Sequence, residues 1–262
     1  MRPDSFRPDF TPDSAFTAYA KRLRDLIEQS ARTVAFTGAG MSVESGIPTY
    51  RGTGRLQSQY DSDKYASIEY FHREPAYYWN YFRDVRFPSI ENAKPNLGHL
   101  ALAELERRGI LRGVITQNID GLHQEAGSRK VLELHGNTRQ YYCLKCGRRY
   151  DFREVREKVD KENPVHCDNC SGLVRPAVIM FGEALDYDVM ESAHVWCLEC
   201  DLLLIIGSSL VVYPAAEFPL VARRAGAKLA IINVDPTPID PIVEFTAHCP
   251  AGNLLAQTVW HD

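Results

Sequence analysis

The chain has no excess of positive charge: 30 Lys and Arg against 34 Asp and Glu give a formal charge of -4, with a pI near 6.1. Nucleic-acid binding normally shows as a basic face or a domain pI above roughly 9, so direct nucleic-acid contact is not expected, whereas a basic protein substrate remains permitted. No apolar run approaches the roughly 20 residues of a membrane span. The stretch from Met1 to Pro12 alternates Pro, Asp, Arg and Phe without the apolar core of a signal peptide. Internal repeats and low-complexity tracts are also missing. The seven cysteines are an odd number, and thiols kept available to metal suit a reducing compartment. These absences predict a soluble, cytoplasmic protein with no membrane association. Its 262 residues, 45% of them hydrophobic, suffice to bury a sizeable core.

Four of the cysteines form two equal pairs, Cys143-x2-Cys146 and Cys167-x2-Cys170, with 20 residues between the pairs. Each pair sets two sulfurs on one tight knuckle, and two knuckles close a tetrahedron around one zinc ion. Four thiolates fill the shell, so the site is expected to be structural, with His166 left outside it. Between the pairs the chain is charged (Arg153, Glu154, Arg156, Glu157, Lys158, Asp160) and poor in large apolar residues. The metal is therefore expected to supply most of this module's folding energy, roughly 10 to 16 kcal/mol in small zinc modules. Cys197 and Cys200, spaced i, i+3 ahead of an apolar run, are expected to pack in the core, and Cys249 to be a lone thiol.

Phe16, Ala20, Leu23 and Ile27 recur at three- and four-residue steps and predict an amphipathic helix over 14–30. Near-continuous apolar runs at 33–36, 113–116, 131–134, 201–206 and 229–233 have the pattern of strands buried on both faces of a parallel sheet. Helical patterns at 96–108, 186–200 and 215–225 supply the crossovers. The expected fold class is α/β: a Rossmann-like, doubly wound parallel sheet assembled from 1–51, 94–138 and 176–262. Two stretches break the alternation, 52–93 and 139–175. They predict a smaller lobe, made of a helical insert and a zinc ribbon, with Tyr77, Tyr78, Trp79, Tyr81 and Phe82 in its core.

Ligands of open parallel sheets sit beyond the carboxyl ends of the strands, and there the chain is unusually polar. The first strand runs into Gly38-Ala39-Gly40-Met41-Ser42, where two glycines let backbone N–H groups approach a pyrophosphate. The third glycine of the dehydrogenase fingerprint is replaced by Val43, and Gly46-Ile47-Pro48 would stop a helix after about one turn. A nucleotide bound here would be held differently from that of a hydride-transfer enzyme. Thr116-Gln117-Asn118-Ile119-Asp120 brings two amides and a carboxylate suited to ribose hydroxyls and a carboxamide. His135, after another strand, has an ordinary pKa of roughly 6.5 and suits general-base work. Gly207-Ser208-Ser209 and Asn233-Val234-Asp235 suit an adenosine lying across the sheet edge. His99 opens a helix and is expected to make structural hydrogen bonds.

In order and spacing, Gly38-Ala39-Gly40-Met41-Ser42, Gly46-Ile47-Pro48, Gln117-Asn118-Ile119-Asp120, His135-Gly136, the paired cysteines, Gly207-Ser208-Ser209 and Asn233 resemble the sirtuin family of bacterial or archaeal type over 31–252. The resemblance implies NAD-dependent protein-lysine deacetylation, with nicotinamide, free lysine and O-acetyl-ADP-ribose as products and acetylated protein lysines as partners. It also implies that the zinc is structural. In that family the acyl oxygen attacks C1′ of the nicotinamide ribose, and His135 matches the base that then activates a ribose hydroxyl. Asn118 matches a residue that helps order the ribose and water near the reacting carbon, Ile119 and Asp120 those holding nicotinamide, and Gln117 a ribose contact. Gly38, Ala39, Gly40, Ser42, Tyr50 and Arg51 match the phosphate side and cofactor loop. Gly207, Ser208, Ser209, Asn233, Val234, Asp235 and Ala251 match the adenosine side. Ile179, Met180, Phe181, Gly182 and Glu183 resemble the segment that pairs with substrate peptide as an added strand.

The chain departs from the family pattern in the cofactor loop, which reads Gly46-Ile47-Pro48-Thr49-Tyr50-Arg51 where Asp and Phe are usual at the fourth and fifth places. The Thr form also occurs in sirtuins that prefer acidic acyl groups. Those relatives carry a Tyr-x-x-Arg pair, whereas Tyr77, Tyr78 and Tyr81 are followed at the third position by Asn80, Tyr81 and Asp84. Acetyl or another uncharged acyl group is therefore expected over succinyl. The alternatives are a deacylase for another uncharged or longer acyl group, an NAD-binding zinc-ribbon module without turnover, and transfer of ADP-ribose to protein.

Overall fold

In the computed structural model, which describes residues 8–49 and 60–260, the long apolar runs form strands covered on both faces. The larger sheet has six parallel strands in the order β3 (Val131–Glu133), β2 (Leu111–Thr116), β1 (Thr33–Thr37), β7 (Leu202–Ile206), β8 (Lys228–Ile232) and β9 (Phe245–Ala247). A smaller antiparallel sheet has the order β5 (Arg149–Asp151), β4 (Gly136–Cys143), β6 (Val174–Val178). In chain order the helices are α1 (Thr17–Glu28), α2 (Ser62–Tyr65), α3 (Ile68–Arg73), α4 (Pro75–Tyr81), α5 (Phe87–Asn92), α6 (Leu97–Arg107), α7 (Leu122–Glu125), α8 (Phe152–Val159), α9 (Tyr187–Glu199), α10 (Phe218–Arg224) and α11 (Ala251–Trp260). None of the described helices is long and apolar enough to cross a membrane.

Alternation along the strands divides the large core in two. Ala35, Leu202, Leu204, Ile206, Ala230 and Ile232 face α1, α6 and α11. Val34, Phe36, Leu203, Ile205, Leu229 and Ile231 face α9 and α10. The sheet is thus doubly wound, as its near-continuous apolar strands require. Local signals start the helices: Asn96 caps α6 in a capping box with His99, and Asp186 accepts the Val189 N–H at the start of α9. Cys197 and Cys200 are buried against the sheet, as their spacing suggests.

Two elements of the large lobe have no counterpart in the sequence reading. β9 is only three residues long, too short for a recognisable alternation. α11 buries nine of its ten residues, Gln257 and Thr258 among them, so it has almost no exposed face to give a helical period.

The small lobe corrects the expectation that metal supplies most of its folding energy. Tyr141, Tyr150, Val155, Val159, Val165 and Val174 of the ribbon join Phe71, Tyr78, Trp79, Phe82 and Phe87 of the helical stretch in one buried cluster, which also holds Cys143 and Cys167. The ribbon is poor in apolar residues by itself because the neighbouring helices complete its core. Trp79 is central, with ring centres 5.9 Å from Tyr78, 5.7 Å from Phe82 and 6.4 Å from Tyr141. Trp79→Ala is expected to destabilise the protein by about 3 to 5 kcal/mol in urea unfolding and to speed zinc loss to a chelator. A cost below about 1 kcal/mol would show that this cluster does not hold the lobe together.

Candidate functional site

The strand order reverses between β1 and β7, and the turns after these two strands lie against each other. Gly38 N–H donates to the Ile206 carbonyl at 3.0 Å and Gly40 N–H to the Gly207 carbonyl at 2.8 Å. A Cβ on Gly40 would come within 2.7 Å of Gly207 Cα, and Gly207 itself has φ +62°. After Gly38 the chain makes a 3₁₀ helix, Ala39–Ser45, which ends at Gly46 in the left-handed region with φ +83°. This short helix delivers Ser42, buried, to the loop after β2.

That loop is held by several independent hydrogen bonds. Ser42 Oγ donates to Asp120 Oδ2 at 2.7 Å, and Leu122 N–H donates to Asp120 Oδ1 at 2.9 Å. Asn118 Nδ2 donates to the Gly38 carbonyl at 3.0 Å and to Ser42 Oγ at 3.2 Å. Gln117 Nε2 donates to Ser208 Oγ at 2.8 Å, which ties the loop to the turn after β7. Thr138 donates through both its N–H and its hydroxyl to the Ile119 carbonyl. Asn118 and Asp120 are buried, whereas Gln117 and Ile119 are half-buried.

His135 lies at the junction of β3 and β4. Its Nδ1 is 3.0 Å from the Gln117 carbonyl. A carbonyl oxygen only accepts, so Nδ1 carries the proton of the neutral ring and Nε2 keeps its lone pair. Burial lowers the His135 pKa below its ordinary value, and the Gln117 hydrogen bond opposes part of that shift. The ring is thus neutral near pH 7, with a basic nitrogen on the side away from Gln117.

Beneath the loop lie two histidines to which the sequence reading gave no role in the site. His123 Nε2 is 2.9 Å from Thr37 Oγ1, which pairs with Thr116 Oγ1 at 2.8 Å, and Thr116 Oγ1 accepts the Asn118 N–H at 3.0 Å. His99 lies beside His123 with ring centres 4.8 Å apart and ring planes tilted by 59°. Burial pushes His99 down to about 4, with the Asp120 carboxylate opposing, and holds His123 well below its ordinary value. Both rings are neutral props. His99 also accepts the Asn96 N–H at Nδ1, the structural bond expected of it.

At the far end of the sheet Asn233 is buried, and its Nδ2 donates to the Asp235 carbonyl at 2.6 Å. Ser208 is buried, while Ser209, Val234 and Asp235 are exposed. Ala251 is buried as the first residue of α11, whose next N–H, from Gly252, donates to Glu44 Oε2 at 2.7 Å. Ala39 is half-buried beside Gly40. Tyr50 and Arg51 lie outside the described residues.

Residues 179–183 follow β6 and run past His135, the Ile179 N–H donating to its carbonyl at 2.9 Å. Phe181 is 65% exposed, and its N–H and carbonyl bond Ala66 and Ile68 of the helical stretch. Glu183 is engaged by Arg175.

The sulfurs of Cys143, Cys146, Cys167 and Cys170 lie within 4.8 Å of one another, with Cys143 to Cys170 at 3.5 Å and Cys146 to Cys167 at 3.6 Å. Zn–S bonds of about 2.3 Å in a tetrahedron place sulfurs about 3.8 Å apart, so the cluster fits one zinc ion. The Tyr150 hydroxyl donates to Cys167 Sγ at 3.0 Å and lowers that thiol to about 6, which favours the ligating thiolate. Elemental analysis is expected to find one zinc per chain. Cys143→Ala should lose it and lower Tm, and metal content unchanged in that variant would remove the cysteines as its ligands.

Comparison with known proteins gives the arrangement relatives. The Sir2 family model matches residues 38–214. The NAD-dependent protein deacetylase of Thermotoga maritima is 44% identical over 222 residues, 85% of this chain and 89% of that protein. That of Sulfolobus acidocaldarius is 47% identical over 244 residues, 92% and 94% of the two chains. A solved Sir2 structure with a deacetylated p53 peptide and 3′-O-acetyl ADP ribose matches with a TM-score of 0.86 at 41% identity, over 91% of this chain and 96% of that one. A Sir2 structure bound to a propionylated peptide matches with a TM-score of 0.83 at 40% identity, over 90% and 95%. Likeness in sequence over nearly the whole length, and in fold to the same depth, means that this chain belongs to the Sir2 family.

Proposed function

We propose that the chain is an NAD-dependent protein-lysine deacetylase that forms nicotinamide, free lysine and O-acetyl-ADP-ribose, with its reaction centre between Asp120 and His135. The observation that carries this reading is the tautomer of His135, whose free Nε2 sits at the end of a parallel sheet beside a pinned Asn118–Asp120 loop. NAD bound there supplies an electrophilic ribose carbon and the ADP-ribose that takes up the acyl group. Asp120 and Ile119 hold the carboxamide end, Asn118 orders the ribose, and Gln117 contacts it. His135 Nε2 takes the proton from a ribose hydroxyl. Gly38, Ala39, Gly40, Ser42, Tyr50 and Arg51 serve the phosphate side and cofactor loop. Gly207, Ser208, Ser209, Asn233, Val234, Asp235 and Ala251 serve the adenosine. The edge at Ile179 to Glu183 receives the peptide, and Cys143, Cys146, Cys167 and Cys170 hold structural zinc.

The large lobe is assigned to 1–51, 94–138 and 176–262, and the small lobe to 52–93 and 139–175. Free thiols at a zinc site support a cytoplasmic location, and the net negative charge supports protein rather than nucleic acid as partner.

Mass spectrometry of an acetyl-lysine peptide, with and without NAD, tests the assignment. NAD-dependent loss of acetyl is expected, with His135→Ala slower by about 10² to 10⁴-fold. Deacetylation independent of NAD, or undiminished in the variant, would overturn the mechanism. The missing Tyr-x-x-Arg pair also predicts acetyl and propionyl peptides ahead of a matched succinyl peptide, and faster desuccinylation would refute that preference.

The rate should depend on pH through His135, because only the neutral ring accepts a proton. Burial lowers its pKa, so kcat/KM is expected to be level near pH 7 and to fall as pH drops, with a midpoint below the ordinary value of about 6.5. An acid limb centred above that value in the wild type would contradict His135 as a desolvated base.

A further inference from the structure

Arg175, on β6, is 2% exposed, although a buried guanidinium is costly unless its donors are met. They are met by one short stretch of chain. Nη1 donates to Glu183 Oε1 at 2.7 Å, and Nη2 donates to Glu183 Oε2 and to the Val178 carbonyl, each at 2.6 Å. Nε donates to the Pro176 carbonyl at 3.3 Å. The guanidinium also lies 5.7 Å from the Phe71 ring centre of α3 and 5.8 Å from the Tyr142 ring centre of β4.

The carboxylate of Glu183 is used as fully. Its Oε2 accepts the Met180 N–H at 2.8 Å, and its own N–H donates to the Met180 carbonyl at 3.1 Å. Residues 178–183 are therefore folded around a single cation. This loop is also bonded to the His135 carbonyl through Ile179 and to the Ala66 carbonyl through Phe181, at 2.9 and 2.7 Å.

We infer that Arg175 and Glu183 form a positioning latch that fixes the peptide-receiving edge relative to His135, so that Glu183 acts through Arg175 rather than as a peptide contact. The inference rests on the deacetylase reading of that edge. Arg175 is too deeply buried to touch a peptide, so any effect of changing it on peptide recognition must pass through the loop. The charge-assisted fork is specific to Arg: Lys keeps the charge but cannot bond both carboxylate oxygens and the Val178 carbonyl in one plane. The NAD-side residues Ser42, Asn118, Asp120 and Ser208 make no bond to either member of the pair.

Steady-state kinetics of the full-length, zinc-loaded Arg175→Lys and Glu183→Gln variants test the latch. Each is expected to raise peptide KM roughly tenfold, as loss of a charge-assisted bond implies, with NAD KM within about twofold of wild type. The double variant should be little worse than either single one, because both break the same unit. A folded Arg175→Lys variant with wild-type peptide KM, or with both KM values raised alike, would overturn the latch. Should Arg175→Lys fail to fold, a Glu183→Gln variant, which preserves shape, overturns the latch if its peptide KM is that of wild type. A wild-type protein that neither binds nor deacetylates the peptide would overturn the deacetylase reading itself, a result distinct from a variant that behaves as wild type.

Discussion

The backbone of the Gly38–Gly40 turn lies in direct contact with Gly207, and the geometry of the site follows from that contact. Two parallel strands running the same way from a switch point must send their chains to opposite faces of the sheet, which opens a crevice between the turns. Here the crevice is closed at its base by hydrogen bonds of 2.8 and 3.0 Å between the two turns, which side chains at Gly40 or Gly207 would prevent. Because the first turn is held so low, the 3₁₀ helix after it places the Ser42 hydroxyl within reach of both Asn118 and Asp120. The loop after β2 is then fixed from below by Gly38, from one side by Ser208 and from the other by Thr138. Polar groups at a strand end become a site when they are satisfied by one another in one arrangement, and here the arrangement is set by backbone approach.

His135 connects this arrangement to the small lobe. Its side chain bonds the Gln117 carbonyl, while its own carbonyl receives the Ile179 N–H, so one residue meets both the loop after β2 and the segment that follows β6. The next residue, Gly136, has φ +74°, and a Cβ there would fall 2.0 Å from the Ala177 carbonyl oxygen. The chain leaves β3 for β4 by a turn that only glycine fits, with the imidazole set against the loop after β2. Displacing residues 179–183 would therefore disturb His135 as well. This gives a physical reason for burying a charged pair such as Arg175 and Glu183, whose contribution lies in fixing geometry more than in adding net stability.

Local rules made part of this legible from the chain alone. Buried parallel strands announce themselves by uninterrupted apolar runs, glycine marks close backbone approach, and equal C-x-x-C pairs have few other uses. The remainder depends on partners distant in sequence. His99 and His123 come together from the start of α6 and from α7, and neither carries a local mark of its neighbour. α11 is buried nearly all round because α1, α6 and the sheet enclose it, so it lacks the exposed polar stripe that would have revealed it. The bonds of Glu183 to Arg175 span eight residues across a loop, beyond any helical or strand repeat.

The small lobe shows the same dependence on distant partners in its energetics. Charge between the cysteine pairs is what a metal-held module looks like when only its own residues are counted. Tyr141 and Tyr150 nevertheless pack in one cluster with Trp79, Phe82 and Phe87, which lie more than fifty positions earlier in the chain. Burial of several aromatic rings contributes on the scale of the metal itself, at about 25 cal/mol per Å² of apolar area. The zinc then has a narrower task than holding up the lobe. It closes the tip where β4 ends and β6 begins, and Cys143 and Cys167, themselves part of the buried cluster, join that tip to the aromatic core. A ribbon anchored in this way carries β6 and the 179–183 segment after it, which is bonded to His135 through Ile179.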